Sequence, residues 1–268
     1  MIDRRRVRDA FGRQAHIYDT HASVQKRVVA RLLDLLKEER VAPRRLLDVG
    51  CGTGTLLGIL RERYQNLNSV GIDLATGMSR QARENLKTDP ATEILTADAE
   101  YLPFSARSFD LVLSTSTFQW LGDLHLTFSE VLRVLSPGGA FFFALFGERT
   151  LYELKTSYHR ALSAKGRKEN DRTHTFFTVA DVLSSLESAG FRACRAFTEV
   201  DIERHDDVPS LLRSLRQIGA GNASPATQRG LAERGVMQEM MKSYHEEYGL
   251  ESGIQATYEI VYGMGIKV

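Results

Sequence analysis

The sequence predicts an α/β fold in which a mostly parallel sheet of seven strands carries helices on both faces. Short apolar runs alternate with helical stretches over the first half of the chain, and this alternation is typical of parallel sheets. A glycine-rich loop follows the first apolar run, as expected where a buried strand turns into a helix beside a nucleotide-type ligand. We expect strands at 46–49, 70–73, 94–99, 109–114, 140–145, 191–204 and 255–267.

The helices are predicted from the spacing of apolar residues and from the residues that end them. Apolar side chains recur at helical spacing from Val24 to Leu36, which predicts a helix over 22–40 that ends before Pro43. The segment Leu135–Gly139 is rich in turn residues, and we expect a turn there. Other helices are expected at 3–12, 55–64, 75–87, 123–134, 148–164, 207–219 and 227–248.

The second half of the chain departs from strict alternation, and we interpret its additional helices as parts of a lid over a substrate site. Thr178 is a candidate helix N-cap with Asp181 placed to complete a capping box, and Gly190 is a candidate end for that helix. The predicted division is a helical lid segment at 1–40, a cofactor-binding core at 41–146, an insertion at 147–176, and a remainder at 177–268 with a helical insertion at 207–248 and a closing strand at 255–267.

Composition limits the class of protein. With 268 residues and a hydrophobic content of 43%, the chain is long enough to build a large core. Its net charge of +1 gives no general reason to bind nucleic acid, and no apolar run is long enough to cross a membrane. No apolar segment follows the basic N-terminus, so we expect no secretory leader and a cytoplasmic protein. Cys51 and Cys194 lie far apart without metal-ligand spacing, so we expect no metal.

The most informative segment is the loop that holds Gly50, Gly52 and Gly54 at alternate positions, directly after Asp48 and Val49. Glycine lets a ligand approach the backbone closely. The dinucleotide fingerprint has the spacing G-x-G-x-x-G and binds a pyrophosphate, which the carboxylate of Asp48 would repel. A ligand with an ammonium and a sulfonium group would be attracted by the same carboxylate. The loop therefore favours S-adenosylmethionine over a nicotinamide dinucleotide.

Polar residues follow the later strands at the edge where ligands bind in parallel sheets. Asp73 ends the second predicted strand and is placed to bond both ribose hydroxyls, while Asp98 ends the third and is placed to accept from an adenine amino group. Ser114 ends the fourth strand. Gln119 and Trp120 follow at a position that favours a wall of the cofactor and acceptor pocket, although a single tryptophan is equally compatible with core packing.

These motifs, in this order, resemble the class I S-adenosylmethionine-dependent methyltransferases, which have a Rossmann-like fold. The resemblance spans roughly residues 40–146 and includes Asp48–Gly54, Gly71–Asp73, Asp98-Ala99, Phe109–Val112 and Leu135–Gly139. In that family the closing strand inserts antiparallel beside the fifth. The cofactor-binding set that the resemblance implies is Asp48, Gly50, Cys51, Gly52, Gly54, Asp73, Leu74, Met78, Asp98, Ala99, Glu100, Ser114, Gln119 and Trp120. The alternative is a generic Rossmann-like domain that binds another nucleotide or none.

Two further features bear on the methyl acceptor. The stretch from Ala10 to Gln25 interleaves aromatic and polar residues ahead of the core, which fits a lid over the site or, equally, a helix docked on the sheet. Arg213 and Arg216 lie one helical turn apart and share a face, and Arg172 lies in a polar loop. Such basic clusters fit docking of an acidic partner or a phosphate, or an ordinary solvated surface.

Taken together, the chain resembles the malonyl-acyl-carrier-protein O-methyltransferases nearly from end to end. The N-terminal stretch and Leu212–Ala220 discriminate best, because the central motifs are shared with quinone-pathway methyltransferases. Val49 and Thr53 replace the alanine and proline common in the family, without changing the backbone role. The resemblance implies methylation of the free carboxylate of malonyl-acyl carrier protein, or of malonyl-coenzyme A, as the first step of pimeloyl assembly for biotin.

The resemblance also implies roles for individual residues. Tyr18 and His21 would orient the acceptor carboxylate, and Phe176 would exclude water. An ionised carboxylate needs no general base, so catalysis reduces to desolvation and in-line alignment. We expect the protein to be a monomer. Contacts with the carrier are expected at Arg172, Arg213 and Arg216.

Other functions stay open at this point. A quinone-pathway or other small-molecule C- or O-methyltransferase would have a large apolar acceptor pocket and no need of surface arginines. A non-catalytic module that binds S-adenosylmethionine would have no need of a lid. A nucleotide-dependent oxidoreductase is disfavoured by Asp48 and by the glycine spacing.

Overall fold

A single seven-stranded sheet organises the molecule. The computed structural model describes residues 3–87, 90–166, 176–221 and 231–268. The strands are β1 (Arg45–Val49), β2 (Asn68–Asp73), β3 (Thr92–Thr96), β4 (Phe109–Thr115), β5 (Leu135–Phe146), β6 (Arg192–His205) and β7 (Ile254–Ile266). Their order is β3-β2-β1-β4-β5-β7-β6, and β7 runs antiparallel to both of its neighbours while the other pairs are parallel. The predicted fold class is confirmed, including the antiparallel strand beside the fifth.

The helices connect the strands and extend beyond them at the N-terminus and before β7. They are α1 (Arg4–Gln14), α2 (Tyr18–His21), α3 (Ser23–Glu38), α4 (Thr55–Arg63), α5 (Thr76–Leu86), α6 (Leu124–Val134), α7 (Tyr152–Ala164), α8 (Val179–Ala189), α9 (Val208–Gln217) and α10 (Leu231–Tyr248). A short 3-10 turn at Phe118–Trp120 follows β4.

Local sequence signals explain where several helices begin and end. The Thr178 hydroxyl accepts from the Asp181 N–H while the Asp181 carboxylate accepts from the Thr178 N–H, which forms the predicted capping box of α8. Gly190 ends α8 in the left-handed region with φ 102°. A second capping box, between Asp207 and Ser210, begins α9. This second box was not predicted from the sequence.

Two predicted boundaries are wrong. The expected turn at Leu135–Gly139 belongs to β5: the Gly138 N–H donates to the Lys267 carbonyl at 2.8 Å, and the Lys267 N–H donates to the Gly139 carbonyl at 2.9 Å. These bonds keep the segment in the sheet, and the left-handed Gly138 (φ 77°) produces a bulge instead of a reversal. The third strand ends at Thr96 rather than at residue 99.

The core is divided by the sheet into two apolar layers. One layer packs α3, α4, α7, α9 and α10 against the sheet. The other packs α6 and α8 against it and contains an aromatic cluster in which Phe118, Phe128 and Phe141 contact one another edge to face. Because both faces are covered, the carboxyl ends of the parallel strands form the open edge for a ligand.

Ion pairs fix the orientation of α3 across the edge of the sheet. Arg31 Nε lies 2.8 Å from Glu199, and Arg27, one turn earlier, pairs with Asp201 on the same face of β6. Among the residues that the structure describes, no helix is long and apolar enough to span a membrane.

Candidate functional site

Two adjoining cavities lie at the carboxyl ends of β1, β2 and β4. Cavity A is lined by Arg4, Val7, Arg8, Phe11, Tyr18, Gly50, Gly52, Ile72, Asp73, Leu74, Ala75, Met78, Ala97, Ala99, Thr115, Ser116, Thr117, Trp120 and Leu121. Cavity B is lined by Tyr18, Asp19, Ala22, Gln25, Lys26, Val29, Gly50, Cys51, Gly52, Thr53, Thr55, Leu56, Thr115 and Ser116. The glycine loop separates the two and borders both.

Two glycines of the loop have positive φ angles, which are energetically unfavourable for residues that carry a Cβ. Gly50 has φ 77° and Gly52 has φ 56°. A Cβ on Gly50 would overlap the Thr117 side chain, whereas a Cβ on Gly52 would meet no atom within 4 Å. The Gly52 backbone therefore faces open space in the cavities, as it would for a ligand that approaches the main chain.

Asp73 holds this loop against the end of β2. Its Oδ2 accepts from the Gly52 N–H at 3.0 Å, and its Oδ1 accepts from the Ala75 N–H at 2.7 Å. Burial raises the pKa of Asp73 to about 6, against the opposing effect of these two hydrogen bonds. The side chain lines cavity A, so it presents carboxylate lone pairs to a ligand there.

Asp48 lies beneath the loop as a second, more deeply buried acid. Only 1% of the residue is exposed, and its Oδ1 has no hydrogen-bond partner among the described residues. Burial, and then the neighbouring Asp73 charge, raise the pKa of Asp48 to about 8. It is not among the residues that line either cavity, so its influence on a ligand would act through charge. A cationic ligand above the loop would stabilise the ionised form.

Helix α1 covers cavity A. Arg4 pairs with Glu100 and, at 2.6 Å, with Asp98 Oδ1, which fastens the start of the helix across the cavity. Near its other end, the Phe11 ring contacts Trp120 edge to face with centroids 5.7 Å apart. Both Phe11 and Trp120 line the cavity.

Two glycines permit the close approach of α1 to its neighbours. A Cβ on Gly77 of α5 would overlap the Gly12 backbone, and a Cβ on Gly219 would lie 2.9 Å from the Phe11 Cα. Helix α1 is therefore held between α5 and the loop after α9. A small apolar cluster of Ala15, Ala75 and Met78 completes this contact.

Tyr18, the first residue of α2, is the aromatic residue that the two cavities share. It lines both of them, and its ring lies 6.3 Å from that of Phe11. Burial, and then the charges of Asp73 and Asp19, raise the pKa of Tyr18 above its ordinary value. The hydroxyl therefore stays protonated at neutral pH and is available as a hydrogen-bond donor.

The site geometry agrees with the comparisons of the whole chain. A family model described as a methyltransferase domain matches residues 47–143. The chain is 53% identical over 265 residues to a malonyl-[acyl-carrier protein] O-methyltransferase of Geobacter sulfurreducens, and the match covers 99% of each protein. The chain belongs to the malonyl-[acyl-carrier protein] O-methyltransferase family. A relative of the same name from Methylovorus is 36% identical, with 100% of this chain and 90% of the relative covered.

Solved structures show the same fold at lower identity. The YcgJ protein from Bacillus subtilis has a TM-score of 0.61 at 18% identity, with 88% of this chain and 97% of that chain covered. A putative methyltransferase from Bacillus halodurans also has a TM-score of 0.61 at 18% identity, covering 89% and 98%. These likenesses show the fold that this family member shares with them.

The other expected cofactor residues of this methyltransferase line cavity A, line cavity B or line neither of them. Leu74, Met78 and Ala99 line cavity A, and Cys51 lines cavity B. Burial, followed by the charges of Asp48 and Asp73, raises the pKa of the Cys51 thiol. The remaining residues, Gly54, Asp98, Glu100, Ser114 and Gln119, do not line cavity A or cavity B.

In this methyltransferase Ser114 makes a hydrogen bond within the sheet and lines neither cavity, whereas Ser116 lines both cavities. The Ser114 hydroxyl is buried and donates to the Val49 carbonyl at 2.7 Å, which ties β4 to β1. Ser116 lines both cavities in a left-handed conformation with φ 55°, and its Oγ has no hydrogen-bond partner among the described residues. The Gln119 amide donates to the Ser116 carbonyl at 2.6 Å and thereby supports this conformation.

The expected acceptor and carrier residues are not all brought to the cavities. His21 and Phe176 line neither cavity A nor cavity B, and the Phe176 ring lies under Lys155, whose Nζ is 4.4 Å from the ring centroid. Arg213 and Arg216 are exposed on α9, which contacts α2. Arg172 lies outside the described residues.

Several residues at the site were not predicted from the sequence. Arg4 and Lys26 had no role assigned at the cofactor site, and Asp19 was not singled out. Asp19 Oδ1 accepts from the Thr53 hydroxyl at 2.7 Å, which attaches α2 to the glycine loop. The interleaving of polar and aromatic residues between Ala10 and Gln25 was the available signal for Asp19.

Proposed function

We propose that this chain transfers the methyl group of S-adenosylmethionine to the free carboxylate of malonyl-acyl carrier protein, which forms a methyl ester. The observation that carries the proposal is the end-to-end identity of 53% with a relative named for this activity. In the biosynthetic order that the family implies, the product begins pimeloyl assembly for biotin. Masking the charge of the carboxylate would let later steps treat the acyl chain as apolar.

The residues at the glycine loop fit S-adenosylmethionine. The open space beyond Gly52 accommodates a ligand against the backbone, and Asp73 in cavity A offers lone pairs to ribose hydroxyls. The pKa of Asp48 is raised to about 8 in the free protein, and a cationic ligand above the loop would favour its ionised form. Asp98 pairs with Arg4 and lines neither cavity, and its assignment to an adenine amino group rests on the family resemblance. When bound, the cofactor supplies an electrophilic methyl group on a cationic sulfur.

The protein's own contribution is to position an ionised carboxylate and to exclude water. A malonyl carboxylate is already deprotonated at neutral pH, so no side chain has to remove a proton. Tyr18 is a protonated donor at the junction of the cavities and would orient one carboxylate oxygen. Phe11 and Trp120 would keep water out of cavity A, which strengthens the nucleophile by desolvation.

We assign the remaining residues by the same logic. The segment 1–40 acts as a lid, since α1 and Tyr18 cover the cavities. The parts 147–176 and 207–248 would complete the acceptor side, with His21 and Phe176 reaching the acceptor when it is bound. We assign residues 41–146 to the cofactor-binding core. Residues 177–268 contribute β6 and β7 to the sheet.

The carrier protein would dock on the exposed face of α9. Arg213 and Arg216 are solvent-exposed there and form no ion pair with a described residue. Acidic carriers are attracted by such a pair. Arg172, which lies outside the described residues, is retained as a proposed carrier contact. We further propose a monomer that works in the cytoplasm and needs no nucleic acid or membrane.

The test is the intact mass of the carrier after incubation with enzyme and S-adenosylmethionine. Malonyl-carrier protein should gain one methyl group, and acetyl-carrier protein, which has no free carboxylate, should gain none. Methylation of a quinone precursor instead of either carrier would favour the small-molecule alternative. Binding of the cofactor without turnover on any acceptor would favour the non-catalytic alternative.

A further inference from the structure

A groove between α1 and α5 carries a concentration of positive charge outside the two cavities. Its volume is about 680 Å³, which leaves room for several side chains of a partner. The groove is lined by Arg8, Arg13 and Arg80 against a single acid, Asp9, and His16 adds an imidazole. All five residues are solvent-exposed. Because the chain as a whole has a net charge of only +1, this positive patch is a local feature and not a consequence of composition.

Two arginines of the groove are not neutralised by neighbouring acids. Asp9 lies 2.8 Å from the Arg8 guanidinium, so the one acid of the groove is already paired. Arg13 and Arg80 form no ion pair with a described residue. Glu84, one helical turn after Arg80, pairs instead with a lysine further along α5. An acidic partner can therefore approach these two arginines without displacing an existing ion pair.

The floor of the groove consists of small residues, because α1 and α5 pack closely there. Gly12 and Ala15 of α1 and Gly77 of α5 line it, and a Cβ on Gly77 would lie 2.3 Å from the Gly12 carbonyl oxygen. Arg13 belongs to α1 and Arg80 to α5, so each of the two helices that bound the groove supplies one cation. A concave floor with a cation on each side is complementary to a helix that carries acidic side chains.

The groove adjoins the candidate active site through α1. Arg8 lines both the groove and cavity A. His16 lies two residues before Tyr18, which lines cavities A and B. A partner seated in the groove is therefore next to the lid residue that is proposed to orient the acceptor carboxylate. An acyl group held on a flexible arm can enter a neighbouring cavity while the protein that carries it stays outside.

We propose that the α1–α5 groove is a docking surface for an acidic carrier protein, with Arg13 and Arg80 as its principal contacts. This role rests on the proposed function, which requires a carrier to approach the lid. Gly219, which follows α9, packs against the Phe11 backbone, so α1 lies between α5 and the loop after α9. A carrier that spans α1 would contact this groove together with the arginines of α9.

Steady-state kinetics test the groove with Arg13→Glu, Arg80→Glu and the double variant. The double variant should raise the KM for malonyl-carrier protein about tenfold more than it raises the KM for a small malonyl thioester. The difference should shrink as the salt concentration rises, because exposed charges are screened. Arg13→Lys and Arg80→Lys should retain most of the wild-type behaviour. Arg44→Glu, at the amino edge of the sheet, is the matched control and should leave both KM values unchanged.

Malonyl-coenzyme A separates a carrier surface from a phosphate site, because it carries phosphates but no acidic protein surface. If the double variant raises the KM for malonyl-coenzyme A as much as that for malonyl-carrier protein, the groove binds phosphate and the proposal is overturned. Equal changes for the carrier and the small thioester, or no change for either of them, overturn it as well.

A charge-reversal experiment tests the docking without turnover. Carrier protein without an acyl group, and variants of it with single acidic residues changed to lysine, are titrated into the wild type and into Arg80→Glu. At least one carrier variant should bind Arg80→Glu about fivefold or more tightly than the unaltered carrier does. Absence of rescue by every carrier variant overturns the proposal. A wild type that binds the carrier in this way but methylates no malonyl thioester would refute the proposed function and leave the docking surface in place.

Discussion

Asp73 accepts a hydrogen bond from the backbone N–H of Gly52 at 3.0 Å, which joins the tip of β2 to the middle of the glycine loop. The same carboxylate accepts from the Ala75 N–H at the start of α5. This one side chain therefore positions both the glycine loop and the start of α5. The two hydrogen bonds also hold the carboxylate itself in place, with lone pairs left for a ligand. This arrangement explains why an acid is required at the end of the second strand even before a ligand binds.

The first prediction concerns this carboxylate. Asp73→Asn keeps the size of the side chain but removes its charge and replaces one acceptor oxygen by a donor. We expect the free energy of binding of S-adenosylmethionine to become less favourable by about 1.5–3 kcal/mol, which is the range for hydrogen bonds to a charged group. Calorimetry measures this, with the exposed Asp34→Asn on α3 as the control. Unchanged affinity in Asp73→Asn would remove Asp73 from the cofactor site.

The second prediction concerns pH. The pKa values of Asp48 and Asp73 are raised to about 8 and about 6, so the free protein holds protons that a cationic ligand would expel. We expect affinity for S-adenosylmethionine to fall as the pH is lowered from about 8 to about 6, by at most about tenfold per pH unit for each proton released. The uncharged sulfur of S-adenosylhomocysteine should give a shallower dependence. Equal slopes for the two ligands would contradict the role of these acids.

The raised pKa of Asp48 also predicts that the stability of the ligand-free protein depends on pH. Because the pKa of Asp48 is higher in the folded state than in the unfolded state, the folded state binds more protons, and its stability falls as the pH rises from about 4 to about 8. In denaturant unfolding, the free energy of unfolding of Asp48→Asn should decrease less with rising pH than that of the wild type. The same variant should bind the cofactor more weakly. An Asp48→Asn stability profile that parallels the wild type would contradict the assignment.

The third prediction concerns the lid. Gly77→Ala would place a Cβ where the Gly12 backbone lies, so α1 has to move away from α5. Overpacking of this kind costs about 1–3 kcal/mol, and we expect faster hydrogen exchange in α1 together with weaker cofactor binding. The control is Gly58→Ala on α4, where the nearest atom to the new Cβ would be 3.6 Å away. Unaltered exchange in α1 would show that the helix does not depend on this contact.

The fourth prediction concerns the carrier. Arg216→Glu reverses an exposed charge on α9 and should raise the KM for malonyl-carrier protein by roughly two- to tenfold, with a reduced dependence on salt. A small malonyl thioester should be used equally well by Arg216→Glu and the wild type. Arg44→Glu, an exposed site at the amino edge of the sheet, is the control. Equal effects on both substrates would rule out a docking role.

The sequence was a good guide to the sheet and to the loop because these depend on local patterns. Apolar runs and glycines predicted the positions of the strands and of the glycine loop, and an acid at the end of the second apolar run singled out Asp73. The choice of Ser114 over Ser116 depended on where β4 ends, and strand ends are weakly encoded. Since β4 continues to Thr115 and the chain then turns left-handed, the cavity position falls two residues later.

Other features required contacts between distant residues. Nothing near Asp98 indicates that Arg4, 94 residues away, pairs with it. Lys26 looks like an ordinary surface residue of an amphipathic helix, and only the fold shows that it lines cavity B. Periodicity identifies which residues share a face, but it does not identify what that face meets in the folded chain.

The central claim is that the acceptor atom is a carboxylate oxygen. The most direct test uses S-adenosylmethionine labelled with carbon-13 in its methyl group and malonyl-carrier protein, with the product examined by NMR. The account predicts a label at the chemical shift of an ester methyl, which mild alkaline hydrolysis releases as methanol. A label at the shift of a carbon-bound methyl that survives hydrolysis, or no transfer from a cofactor that binds, would contradict it.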